Sequence, residues 1–181
     1  MLVVAAVALV AATAGGDSSS SPSKSPGGPL NASAPPQVGA QAAACTKVLA
    51  QLPVKLGALA PRIVHPSPPT PFVVAWGNPA VVLRCGEAKP ASLRPGSSTQ
   101  FFQNGTAADG PYFDVTKGDG GNVFTTVDRA AYVAVVVPRQ YQGATVVPPL
   151  SDAIAKALPA VCSVPDSNGR TGSLPLCTRR K

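Results

Sequence analysis

Residues 72 to 90 read FVVAWGNPAVVLRCGEAKP and bring the chain's single Trp, an Arg and a Cys into one short stretch. Trp76, beside a Gly-Asn-Pro turn, could stack on a sugar or a peptide. Arg84 could fork onto a carboxylate or a phosphate. Cys85 could attack as a thiolate, but only with a base beside it, and His65 is the sole imidazole in the chain. Each residue also has a plainer role: an indole in the core with its N–H on a turn carbonyl, a guanidinium paired with Glu87, Asp114 or Asp128, and half of a disulfide. Serine hydrolysis lacks a Gly-x-Ser-x-Gly elbow and would again depend on His65. Asp109, Asp114 and Asp119 follow one another at five-residue intervals in turn-rich sequence. A glycosidase needs two such acids facing across a cleft, and a calcium loop needs an Asp-x-Asp-x-Asp-Gly run, which is absent. These acids therefore read as solvated loop charge. No cofactor is called for: Gly118-Asp-Gly-Gly121 lacks the Lys-Ser/Thr of a phosphate loop and reads as a turn.

The four cysteines, Cys45, Cys85, Cys162 and Cys177, contain no Cys-x-x-Cys pair, so neither a zinc ribbon nor a thioredoxin-type motif is supported. An even number of separated cysteines reads as two disulfides, with three connectivities open. In one of them Cys162–Cys177 ties the C-terminal tail to itself and Cys45–Cys85 pins the first helix to a strand.

Fifteen basic residues against eight acidic ones give a net charge of +7, but the positive charges are scattered and only Arg179-Arg180-Lys181 is dense. There is no basic stripe, no interleaved aromatic set and no helix-turn-helix pattern, so nucleic acid is excluded as a partner. A cationic protein facing an anionic cell surface fits the charge. Residues 2 to 14 are apolar except for one Thr, and as a helix they span only about 20 Å. That length suits the core of a signal peptide, with Ala12-Thr13-Ala14 as the small-x-small site, although no Lys or Arg precedes it. The chain accordingly divides into a signal peptide or N-terminal membrane anchor at 1–14, a Ser/Pro/Gly-rich linker at 15–39, one domain at 40–160 and an irregular basic tail at 161–181.

These residues need elements to position them. Gln41 to Leu52 places Ala44, Val48, Leu49 and Leu52 on one helix face, and Pro53 ends it. Residues 61 to 71, PRIVHPSPPTP, form a stiff extended connection. Phe72–Trp76 and Ala80–Cys85 read as two strands around the Gly-Asn-Pro turn, with Val81, Leu83 and Cys85 on one face and Val82 and Arg84 on the other. Thr99–Gln103 and Tyr112–Val115 are short strands, and Asn122–Val127 with Tyr132–Val137 form the clearest pair. Pro148 and Pro149 open a last helix, Leu150 to Leu158. Helix, strands in runs, then helix predicts an α+β fold: a small antiparallel sheet of four to six strands, N- and C-terminal helices on one face, stapled by disulfide.

Cys45-x-x-Val48-Leu49-x-x-Leu52-Pro53, Ala75-Trp76-Gly77-Asn78-Pro79 through Leu83-Arg84-Cys85-Gly86, and Phe124-Thr125-Thr126-Val127-Asp128-Arg129 with Tyr132 to Pro138 resemble the actinobacterial exported family catalogued as domain of unknown function 3515. The resemblance runs from about Cys45 to Leu158. It implies a secreted or membrane-attached envelope protein and the pairing of Cys45 with Cys85, and it implies no reaction. Two functions follow as expectations. The first is a noncatalytic envelope module that binds a wall component or another envelope protein through a patch at Trp76 or Arg84. The second is a hydrolase-like enzyme that uses His65 or two of the Asp residues. Membrane association would run through the N-terminus.

Overall fold

The computed structural model describes residues 28–93 and 101–161. Its elements are β1 (Leu30–Ser33), α1 (Val38–Gln51), β2 (Pro61–Arg62), β3 (Val64–Ser67), β4 (Val73–Trp76), β5 (Val81–Cys85), β6 (Phe102–Gln103), β7 (Tyr112–Gly118), β8 (Gly121–Thr126), β9 (Val133–Pro138) and α2 (Gly143–Ala157). The main sheet is antiparallel throughout, in the order β2-β4-β5-β9-β8-β7-β6. Five strands of four to seven residues make its body, and the two-residue strands β2 and β6 close the edges and bring the count to seven. The chain builds the β4–β5 hairpin, crosses to the far edge, and returns strand by strand until β9 pairs with β5.

Alternation divides the sheet into two faces with different chemistry. Val81, Leu83 and Cys85 on β5, Val133, Val135 and Val137 on β9, Phe124 on β8 and Phe113 on β7 point one way and are buried. Phe113 and Phe124 meet edge to face with centroids 6.3 Å apart. Both helices cover this side. α1 contributes Cys45 and Val48, and α2 contributes Val147, Leu150 and Ile154, all with no exposed surface. Burying the four aliphatic side chains among them stabilises the packing by about 1.5–3 kcal/mol each before chain entropy is charged against it. The fold is therefore α+β, with its helices on one face of an antiparallel sheet and one disulfide, Cys45–Cys85, joining α1 to β5.

Three local expectations are revised. Part of the stretch read as linker is ordered: β1 pairs in parallel with β3, with Leu30 N–H donating to Ile63 at 2.9 Å and Ala34 N–H to Ser67 at 3.0 Å. Extended, proline-rich sequence around β3 leaves its peptide groups unpaired, and β1 satisfies them. Helix α1 begins three residues earlier than its apolar stripe suggests, because its start is anchored from outside. Gln37 N–H donates to the Gly86 carbonyl at 2.8 Å, and a Cβ on Gly86 (φ +102°) would lie 2.9 Å from the Val38 Cα. Helix α2 begins at Gly143, so Pro148 and Pro149 lie inside it instead of opening it. The two ring nitrogens leave the carbonyls of Ala144 and Thr145 without helical donors, and both residues are exposed, so water can serve them. Buried Val146 and Val147 hold this first turn on the core. Residues 1–14 and Cys162 and Cys177, with their proposed roles in export and in a second disulfide, lie outside the described residues.

Candidate functional site

The helix-free face of the sheet carries the polar residues. In register across four strands, Arg84 on β5 pairs with Ala134 on β9, Ala134 with Thr125 on β8, and Thr125 with Asp114 on β7. Three interstrand spacings put the Arg84 and Asp114 backbones about 14 Å apart. The small Ala134 and Thr125 between them leave the middle of the row low. The segment after β5 arches over it with Glu87, Ala88, Pro90, Ala91 and Ser92 and closes a cleft of about 320 Å³, to which Thr116 and Val123 also contribute.

Among the described residues, one end of the cleft holds an ion pair and the other a lone carboxylate. Arg84 Nε donates to Glu87 Oε1 at 2.5 Å, with the two side chains 32% and 13% exposed. Of the three acids that sequence offered Arg84, the one three residues away is its partner. This is the only hydrogen bond of Arg84 among the described residues, and its two terminal nitrogens remain for solvent or a ligand. At the other end Asp114 is 6% exposed and accepts a hydrogen bond from Ser92 Oγ at 2.6 Å. No basic side chain pairs with it among the described residues. Sequence reasoning had Arg84 as a candidate and Asp114 only as one acid among three. The missed signal is alternation: Asp114 and Thr116 share a face of β7, and Thr125 shares a face of β8 with Val123, so the polar positions fall on one side of neighbouring strands.

Trp76 does not join this site, which corrects the patch expected of it with Arg84. Its place in the strand alternation turns it to the opposite, helix-covered face, where it is 3% exposed. Its indole N–H is shared by the carbonyls of Pro53 and Val54, at 3.2 Å each. An indole so placed fills the core and satisfies its one donor, and although it borders a second hollow with Leu52, Pro53 and Arg62, the little surface left to it is no stacking platform. His65 sits exposed on β3, outside the cleft, and makes no side-chain hydrogen bond among the described residues. Asp109 and Asp119 are exposed loop and turn residues that do not line the cleft, so the three Asp residues form no facing pair. Cys45 and Cys85 are spent on the disulfide. No group of three His, Cys, Asp or Glu among the described residues is arranged to hold a metal ion.

Two other acids are explained by structure. Asp128 is buried beside Arg129, whose Nη1 donates to its Oδ2 at 2.7 Å, and it also accepts from Tyr112 N–H at 3.0 Å. Burial pushes its pKa above the ordinary 3.8, against the lowering pull of Arg129 and the hydrogen bonds. Asp152, in α2, clasps the loop after β6, accepting from the Thr106 hydroxyl at 2.5 Å and from the N–H groups of Thr106 and Ala107 at 2.8 and 3.0 Å. Its pKa lies below 3.8, chiefly because of the Thr106 hydroxyl. A depressed carboxylate pKa adds stability that is present above pH 3.8 and is lost as pH falls through the folded value. Thr106→Val is expected to move the Asp152 midpoint upward in a carboxyl NMR titration. An unmoved midpoint would show that the hydroxyl does not set it.

A disulfide-stapled α+β domain with an open, two-signed cleft on the bare face of its sheet defines the class of protein. The chain belongs to the family described as protein of unknown function DUF3515, whose profile matches residues 1–162. No curated protein and no solved structure matches the chain.

Proposed function

We propose that this is an exported cell-envelope protein acting as a noncatalytic binding module, which holds a wall component or another envelope protein in the cleft between Arg84 and Asp114. The observation that carries the reading is the bonding capacity left at its two ends among the described residues: the two terminal nitrogens of Arg84, which its ion pair with Glu87 does not use, and the buried carboxylate of Asp114, which no basic side chain meets. A buried carboxylate that no cation meets among the described residues gains from a ligand that supplies one. Export is supported by the Cys45–Cys85 bond, since disulfides persist in oxidising compartments, and by the apolar stretch at 2–14. No helix among the described residues is long and apolar enough to cross a membrane. The hydrolase alternative gains nothing from the geometry. Glu87, the second acid of the cleft, is committed to Arg84, and among the described residues no imidazole or thiol stands with Asp114 and the Ser92 hydroxyl that bonds it.

The test uses purified oxidised protein mixed with isolated cell-wall material and, separately, with extracted envelope proteins. Arg84→Ala and Asp114→Ala are each expected to reduce the retained fraction at least fivefold. Val54→Ser, at an exposed residue outside the cleft, should leave it unchanged. Retention by both cleft variants at the wild-type level, with their circular dichroism intact, would overturn the reading.

A further inference from the structure

Resting on that reading of the cleft, we infer that its ligand is a short extended peptide with a free ammonium seated at Asp114 and a free carboxylate at Arg84. Formal charges within the cleft are one positive (Arg84) and two negative (Glu87, Asp114). The Arg84–Glu87 pair is already closed through Nε, so among the described residues the one unmatched charge is the carboxylate of Asp114. Ser92 satisfies one of its oxygens with a neutral hydroxyl, which leaves lone pairs for a second donor. A primary ammonium, compact and with three donors, fits a nearly enclosed carboxylate better than a planar guanidinium does. At the opposite end the free edge of the Arg84 guanidinium presents its two terminal nitrogens in the fork geometry that grips a carboxylate.

Length selects the ligand as much as charge does. The two backbones are about 14 Å apart, and both side chains line the one cleft, so a ligand that meets both ends is shorter than that. An extended chain advances about 3.3–3.6 Å per residue, so the termini of a tripeptide span about 10 Å. Between the ends the floor offers hydroxyls at Thr116 and Thr125 for peptide groups, and the small Ala134 and Thr125 leave depth for a main chain. A dipeptide would reach one end at a time. A dicarboxylate or an anionic polymer would put a second anion at Asp114, where no cation answers it among the described residues.

The probe is trialanine, added to isotope-labelled protein and followed by backbone NMR, beside N-acetyl-trialanine and trialanine amide. Trialanine is expected to saturate in the low millimolar range, with shifts concentrated at Ser92, Asp114, Thr116, Thr125 and Ala134. Acetylation, which removes the ammonium, should weaken binding about tenfold, and amidation, which removes the carboxylate, about threefold to tenfold. Asp114→Asn, which keeps an acceptor for Ser92, should abolish the difference between the free and acetylated peptides. Arg84→Gln should abolish the difference between acid and amide, and Arg84→Lys should restore part of it. Equal binding of all three peptides, or no saturable shift with trialanine, overturns the inference. If the cleft variants still lose retention on wall material or envelope protein, the cleft reading survives and only the peptide assignment falls. If retention is also unaffected, both fall together.

Discussion

Replacing Cys45 and Cys85 together by alanine is expected to lower the folding free energy by about 4 kcal/mol. The bond closes a 40-residue separation, and the entropy it removes from the unfolded chain corresponds to about 4 kcal/mol at 25 °C. Both sulfurs have no exposed surface, so removing them also opens a small void between α1 and β5. Small domains have only about 5–15 kcal/mol of stability in all, so this change consumes a large share of it. The measurement is a urea midpoint for wild type and the double variant, each with and without reductant. Wild type should lose stability in reductant, and the variant should not respond at this bond. A wild-type midpoint indifferent to reductant would show that the staple carries little. The physical consequence reaches function. Gly86 follows Cys85, and its carbonyl receives the Gln37 N–H, while Gln41 of α1 donates to Glu87 at 2.9 Å. Loosening α1 from β5 therefore loosens the acid that fixes Arg84.

Arg129→Met is expected to cost about 3–5 kcal/mol at neutral pH, because it strands the buried carboxylate of Asp128. Arg129 is itself 3% exposed, and besides Asp128 it bonds the backbone carbonyl of Asp109, so it ties the loop before β7 to the β8–β9 turn. The expected loss has a pH signature that a packing defect lacks. Asp128 has a raised folded pKa, so the folded state holds its proton more tightly than the unfolded state does. Its contribution is most favourable below pH 3.8 and declines as pH rises through the folded value. Removing Arg129 deletes a lowering influence, which raises that pKa further and widens the window. The variant should therefore recover part of its deficit on acidification, where Asp128 is neutral. Denaturation midpoints across pH 4 to 8 give the readout, and a deficit that stays constant over that range would assign the loss to packing alone. Asp128→Asn in the same background should abolish the pH dependence of the deficit.

Much of the architecture was legible in short-range patterns. Val81, Leu83 and Cys85 alternate with Val82 and Arg84, and a period of two fixes which side chains share a face wherever a strand forms. The Asn122–Val127 and Tyr132–Val137 pair was legible for the same reason, and the structure realises it as β8 and β9. Helix boundaries were less legible, because a helix start depends on what receives its free N–H groups. Gln37 finds its acceptor on Gly86, 49 positions away, and no local signal announces that. The parallel pairing of β1 with β3 was hidden likewise, since the alternation in LNAS and VHPS lasts only four residues and no local signal says which strand each will pair with.

For the site, sequence alone determined the parts. It identified Arg84 as a cation on the polar side of a strand and offered Glu87, Asp114 and Asp128 as acids within reach. It also placed Cys85 where a disulfide could join sheet to helix. Tertiary structure decided the assembly. Strand order set β9 and β8 between β5 and β7, which put Ala134 and Thr125 between Arg84 and Asp114 and so made a cleft with an ion pair at one end and a carboxylate at the other. It gave Glu87 to Arg84 and Asp128 to Arg129, and it turned Trp76 into the core. The physical reason is that alternation is a property of one strand and is written in consecutive residues. Which strands lie side by side is decided by the burial of the whole helix-covered face, and that depends on the chain as a unit.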